Sequence, residues 1–402
     1  MTQGRCCDVQ GEAETGRIGR HYGLDWLRIG AFALLILYHI GLYFAPGHWL
    51  VKSAHIEDWV AYPIAAISPW RLMVIFAVSG FATAAMLQRF ASVGAFFRER
   101  SRRLLIPLIF GTLILVPPQG WVRMEMAGHH ETPMHFMVHE EFAFTRIAGQ
   151  FFPNWEHLWF LGYLWAYTGL LAAVLILWPD WKAKAAPVVT WLSQGARLLV
   201  VPLVVLATAR LALMAMHLDD ASRYSDLVGD VHYVPAFLLG FGLAHYPAIW
   251  AAVRRVWRVS LVLGLVCLAI LMAGVAAPVE NPSRLRLIID VAADTGMAWA
   301  MLPVALHLAD IALNRDHAWR QPLALAIFPA YIVHQTVIVL AGWGLREAGI
   351  VGLPAFAVLV FVVVASCAAA YALARTVPPM GELLGMPHKR LKAETAADLS
   401  PA

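Results

Sequence analysis

Charge is what this 402-residue chain has least of. Only 14% of its residues are charged, while 60% are apolar and the mean hydropathy is +0.65. A soluble domain carries about a quarter charged residues, so that class is excluded. Cysteine is scarce too: four residues, in no metal or disulfide spacing. Cys267 and Cys367 fall in apolar stretches and read as reduced, packed thiols, whereas the Cys6-Cys7 pair carries lipidation as an alternative. Internal repeats, low-complexity tracts and a second soluble domain are missing. A cleavable leader is not expected either, because the first apolar run follows a polar tail of about 20 residues and is itself long enough to span.

What is present is a series of helix-length apolar stretches, at roughly 24–44, 68–88, 104–122, 157–178, 197–216, 232–249, 258–277, 286–309, 322–343 and 350–373. Each reaches, or nearly reaches, across a hydrocarbon core of about 30 Å at about 1.5 Å per residue. Pro and Gly inside them are tolerated in a packed bundle. The expected fold is therefore an all-α integral membrane protein of about ten transmembrane helices. Residues 23–375 form the membrane domain, with 1–22 and 376–402 as tails.

Sorting Lys and Arg by alternate loops gives 20 on one side against 7 on the other, with Arg28, Arg71 and Arg210 inside spans. The positive-inside rule places the rich side, which holds both tails, in the cytoplasm. The opposite side is rich in acid and histidine. Its longest loop, 123–156, carries Glu125, Glu131, Glu140, Glu141 and Glu156 with His129, His130, His135 and His139. A loop of that length is a candidate functional element. His135 and His139 stand one helical turn apart, but no His-Glu-x-x-His signature accompanies them, so the loop reads as an amphipathic surface segment and no metal is expected.

Ionisable groups inside a membrane are expensive and mark functional sites by default. The first span carries Asp25, Arg28 and His39. Asp25 and Arg28 share a helical face at the cytoplasmic edge, where pairing and snorkelling are both open readings. His39 lies about 16 Å further along the helix, in the outer half of the membrane, either as a hydrogen-bonded packing residue or as a positioned general base. Arg71 on the second span, Glu156 and His157 on the fourth, Arg210 on the fifth, Asp290 and Asp294 on the eighth and His334 on the ninth converge on the same depth. Pairing of Arg210 with Asp290 or Asp294 gives a purely structural alternative for those three. Arg98-Glu-Arg100-Ser-Arg102-Arg103 on the cytoplasmic side is either a topology signal or a holder for a phosphorylated ligand.

These blocks resemble acyltransferase family 3, the ten-helix membrane O-acyltransferases, over residues 22–375. Tyr22-Gly-Leu-Asp-Trp-Leu-Arg28, ten residues and then His39 is similar to the family's first-helix Arg-x10-His motif. Arg71-Leu-Met-Val-Ile-Phe-Ala-Val-Ser-Gly-Phe81 resembles its second-helix Phe-x-x-Ser-Gly-Phe element, and Arg100-Ser-Arg-Arg103 ahead of Leu-Leu-Ile-Pro107 its Arg-x-x-Arg element. His157-Leu-Trp-Phe-Leu161 and Tyr331-Ile-Val-His334-Gln335 are further such blocks, and the former, together with Arg71 ahead of the second-helix motif, looks most like the branch that succinylates periplasmic glucans. The histidine-rich loop matches no known element of the family.

The resemblance implies transfer of an acetyl or succinyl group from cytoplasmic acyl-CoA, a co-substrate rather than a bound cofactor, to a hydroxyl of an extracytoplasmic carbohydrate. It implies His39 as the catalytic base or acyl carrier, and Arg28, Arg100 and Arg103 as holders of acyl-CoA. Arg71, Glu156, His157, Asp290, Asp294 and His334 are left for acceptor or acyl-group contacts. Lipids surround such a protein in the bacterial inner membrane, and nucleic acid is not an expected partner. The rival reading is a secondary transporter for a small polar or anionic solute, for which buried Arg, Asp and His are equally natural. Against it stand the missing repeat and the missing pair of broken helices at corresponding positions.

Overall fold

The computed structural model describes residues 21–216, 232–279 and 281–387. Arg5, Cys6, Cys7, Arg17, Arg20, Arg223, Lys389, Arg390 and Lys392 lie outside them. The chain opens with α1 (Tyr22–Phe44), α2 (Ala61–Leu87) and α3 (Val93–Phe110), which passes through a π-helical turn, Gly111–Leu115, into α4 (Pro117–Met126). Pro117 cannot donate into the preceding turn, so the direction changes there: the two segments are bent by 42°. After α4 come a helical turn Pro133–His135, a π-helical turn Phe136–Glu140 and a hairpin of β1 (Thr145–Ile147) and β2 (Gln150–Phe152). Ala148 and Gly149, both at positive φ (47° and 82°), make the two-residue turn whose twist suits a hairpin. Then follow α5 (Trp159–Leu177), α6 (Trp181–Leu192), α7 (Arg197–Met216), α8 (Val234–Leu243), α9 (Pro247–Ala276), α10 (Arg284–Ile311), α11 (Arg320–Glu347), α12 (Gly352–Thr376) and α13 (Pro378–Leu383).

Among the described residues eight helices are long and apolar enough to cross a membrane, and α3 with α4 makes a ninth if the bent pair is one span. The remaining expected stretch, 232–249, holds α8, whose ten residues reach only about 15 Å and cannot cross alone. The protein is an all-α, multi-pass membrane protein.

The chain divides into two compact units. The first comprises the chain through Ala31, Pro69–Arg98 and Tyr167–His317. In it α9 and α10 pack along each other and against α7, around Cys267, Ala293 and Met297. Two glycines let helices touch backbone to backbone: a Cβ on Gly240 would stand 1.7 Å from the Ala77 carbonyl oxygen, and one on Gly80 2.0 Å from that of Phe237. Small residues at such crossings are what membrane helices use for close packing.

The second unit comprises Phe32–Ser68, Glu99–Ala166 and the chain from Ala318 onward. Here α11 and α12 pair, α4 lies against α11, and a core of Ile40, Tyr43, Val51, Val122, Ile338, Leu359 and Val363 fills the space. Gly349, at φ 67°, turns the chain between α11 and α12 while its N–H and that of Ile350 close on Arg346 and Leu345. The loop after α4 has its own small core, Met124, Phe136 and Phe152, none of them exposed. The free thiols of Cys267 and Cys367 are buried and half-buried within helices.

Candidate active site

The second unit contains a string of buried polar side chains on an otherwise apolar helix. Tyr331, His334, Gln335 and Thr336 on α11 are all enclosed, His334 at 0% exposure. Buried polar groups are retained only when their hydrogen bonds are met, and here most are. Thr336 donates to the Leu115 carbonyl at 2.8 Å and accepts from Gln119 at 2.7 Å, while Gln335 donates to Gln119 Oε1 at 3.1 Å. That network ties α11 to the π-helical turn and α4, and so fixes the rotation of α11 about its axis.

The rotation brings His334 to His39. His39 Nδ1 and His334 Nε2 are 2.9 Å apart, and His334 Nδ1 is 2.7 Å from the Tyr331 carbonyl oxygen. A carbonyl can only accept, so His334 carries its hydrogen on Nδ1. With both rings neutral, His334 Nε2 then offers only a lone pair, and His39 must donate from its own Nδ1. The basic lone pair of His39 is thereby assigned to Nε2. A backbone carbonyl, acting through one intervening ring, sets the tautomer of the histidine that is half-buried rather than enclosed. Trp49 lies parallel to the His39 ring at 6.3 Å and 13°. The ring turns toward a neighbouring helix, as a base inside a bundle requires.

His157 supports the same cluster. Its Nε2 donates to the Ile332 carbonyl at 3.1 Å, its ring meets His334 edge-on at 5.1 Å, and its carbonyl accepts a hydrogen bond from the Tyr331 hydroxyl. The preceding residue, Glu156, sits at φ 44°, a left-handed conformation that costs a non-glycine residue about 1–2 kcal/mol. Its nearly enclosed carboxylate is held by Arg123 at 3.0 Å. Arg123 and Glu156 therefore clamp the 3₁₀ turn Glu156–Leu158, which carries His157 and leads into α5.

Sequence reasoning passed over Glu141, one of five acids in the loop. It is fully enclosed, and neither carboxylate oxygen has a well-aligned hydrogen-bond donor. Burial raises its pKa to about 7, the charge of Glu156 adds to the rise, and the Asn154 backbone and Arg123 oppose it. Gly120 makes room for it, since a Cβ there would stand 2.6 Å from Glu141 Oε2. No one-dimensional signal separates Glu141 from its exposed neighbours.

The other sequence-predicted residues fall as follows. Arg100 and Arg103 are half-buried on α3 within the second unit, Arg103 lining a small pocket with Glu99, Arg102, Glu382, Gly385 and Met386. Glu382 accepts from Arg102 at 2.6 Å. Arg28, Arg71, Asp290 and Asp294 belong to the first unit. There Arg71 is buried, Arg210 pairs with Asp294 and bonds Thr295 at 3.0 Å, and Asp290 is held by Arg286 at 2.9 Å. The structural pairing left open for Arg210 thus goes to Asp294, and Asp290 takes a partner one turn away on its own helix.

No solved structure matches the chain. Over 154 residues it is 27% identical to glucans biosynthesis protein C of Escherichia coli strain SMS-3-5 and, equally, to that of Shigella boydii serotype 4 and of Escherichia coli K12. Each alignment covers 38% of this chain and 38% of the relative. The profile of the acyltransferase domain, by contrast, runs over residues 21–375, and through it the chain belongs to acyltransferase family 3.

Proposed function

We propose that this protein is a membrane-bound O-acyltransferase that moves an acetyl or succinyl group from cytoplasmic acyl-CoA to a hydroxyl of an extracytoplasmic carbohydrate, a glucan by analogy with its relatives. The observation that carries the reading is the His39–His334–carbonyl relay, which leaves His39 Nε2 as a base. In the reaction the sugar hydroxyl gives its proton to Nε2 as its oxygen attacks the thioester carbonyl. The tetrahedral adduct collapses with loss of the CoA thiolate, which takes the proton back from the imidazolium, so protons and charge balance. A neutral imidazole relay suits a low-dielectric site, because just one ring becomes charged, and only transiently.

The remaining roles rest on motif position rather than on contact. Arg100 and Arg103 are assigned to the CoA phosphates, a pairing guanidinium geometry favours, and Arg28 is assigned to the donor from its place in the first-helix motif. Arg71 is the candidate for the carboxylate of a succinyl group. The bias of basic residues supports cytoplasmic termini, with His39 in the outer half, and the bacterial relatives support a bacterial inner-membrane location.

The test compares envelope glycans by mass spectrometry from cells with and without the gene. Loss of an acyl adduct on deletion, restored by the wild-type gene, is expected. Unchanged glycans together with solute counterflow indifferent to acyl-CoA would replace the enzyme reading by the transporter one.

A further inference from the structure

Outside the histidine relay, another cluster of chemically capable side chains gathers in the second unit, in the loop after α4. His129 Nε2 and Glu140 Oε2 are 2.9 Å apart, and His135 Nδ1 lies 3.3 Å from Glu131 Oε2 and 3.9 Å from Glu140 Oε1. One ligand atom from each of His129, Glu131 and Glu140 falls within 4.8 Å of the other two. We propose that His129, Glu131, His135 and Glu140 form a Zn²⁺ site that closes this loop.

The donor set argues for the metal. Two imidazoles and two carboxylates suit a four-coordinate zinc ion, whereas Ca²⁺ and Mg²⁺ take oxygen ligands. At zinc bond lengths near 2.0–2.2 Å, adjacent ligand atoms in a tetrahedron stand about 3.4 Å apart, so the spacing of His129, Glu131 and Glu140 needs to contract by no more than about 1.4 Å, while His135, already 3.3 Å from Glu131 and 3.9 Å from Glu140, swings in as the fourth ligand. The side chains are half-exposed or exposed and have room for that movement. In the metal-free arrangement each imidazole–carboxylate contact needs a proton on the ring, and zinc would replace those protons.

The backbone beneath the ligands is already held, which separates this cluster from a chance gathering of surface charge. The His129 N–H bonds the Met124 carbonyl at 2.9 Å at the end of α4, and the Trp121 indole donates to the Glu131 carbonyl at 2.9 Å. Thr132 caps the next turn by accepting from the His135 N–H at 3.3 Å, and buried Phe136 pins that turn to Met124 and Phe152. The signal in the sequence was the spacing of His135 and His139, but the geometry gives the second imidazole to His129. The His139 ring lies tilted beside His135, and His130 turns away to Glu125 at 2.8 Å.

The experiment uses the purified full-length protein in detergent, stripped with a chelator and titrated with Zn²⁺ by calorimetry, with metal counted by mass spectrometry after desalting. One zinc per chain is expected, unaffected by excess Mg²⁺ or Ca²⁺. The double variant His129→Ala/Glu140→Gln should bind at least about tenfold more weakly, the scale on which even outer-shell partners of a metal act. Glu131→Gln, a single change at an exposed side chain, should weaken binding in the same direction, and His130→Ala should leave it unchanged. Absence of stoichiometric zinc on the wild type, or equal affinity in the wild type and both ligand variants, would overturn the proposal.

Discussion

The two units satisfy their polar groups differently. In the first, half-buried and exposed charges are matched with charges: Arg210 with Asp294, Arg286 with Asp290, and Arg254 with Asp310. In the second, the interior around α11 holds uncharged groups in two sets: three imidazoles and a phenol linked by the His39–His334 contact and by backbone carbonyls, and two amides with a hydroxyl. Ion pairs satisfy charge and then stay put, because breaking one leaves an uncompensated ion in a medium that solvates it poorly. A chain of neutral donors and acceptors can pass a proton along and return to its starting state. Under the proposed function the contrast teaches that intramembrane charge by itself is a poor guide to the reactive residue, and that the neutral, tautomer-locked ring is the better one.

Substitutions can break or sharpen that contrast. His39 aside, the largest effect is expected at His334. His334→Ala removes the acceptor for His39 Nδ1 and should lower kcat by about 10²–10³-fold with KM little changed, the pattern of a positioning residue acting through a base. His334→Gln, whose amide oxygen can still accept, should recover part of the loss.

Next comes Glu141, an enclosed carboxylate of the second unit with no well-aligned hydrogen-bond donor. Below about pH 4.5 folded and unfolded states both hold its proton, and between there and about 7 only the folded state does. Stability therefore falls as pH rises through that window, by no more than about 3 kcal/mol, and levels off above it. Glu141→Gln should flatten this slope in thermal unfolding of the purified protein between pH 5 and pH 8. An unchanged slope would show that the carboxyl is not held protonated.

In the first unit, Asp294→Asn should cost about 1–2 kcal/mol of stability, less than a fully buried pair because the carboxylate is about one-third exposed. Asp290→Asn, which loses only an i,i+4 contact with Arg286, should change stability by about 0.5 kcal/mol or less.

How much of this was legible in the sequence follows from the range of each signal. A transmembrane helix is announced within about 20 residues, so all ten apolar stretches coincide with helices. Hydropathy does not record whether a segment reaches across, which is why α8 comes out short and why α3 and α4 meet at a bend. The hairpin Thr145–Phe152 was hidden because three-residue strands leave no periodicity to read. His39 was visible as an ionisable group in an apolar span, and His334 by the same rule. Their contact was not, since 295 positions separate them and only the packing of α11 closes the gap. His334, expected among acceptor contacts, is hydrogen-bonded to His39.

The central claim is that His39 Nε2 takes the acceptor's proton. The direct measurement is turnover of labelled acyl-CoA and glucan by purified His39→Ala protein, normalised to correctly inserted enzyme and compared with the wild type. The account predicts a loss of about 10²–10⁴-fold in kcat. Transfer at the wild-type rate would contradict it.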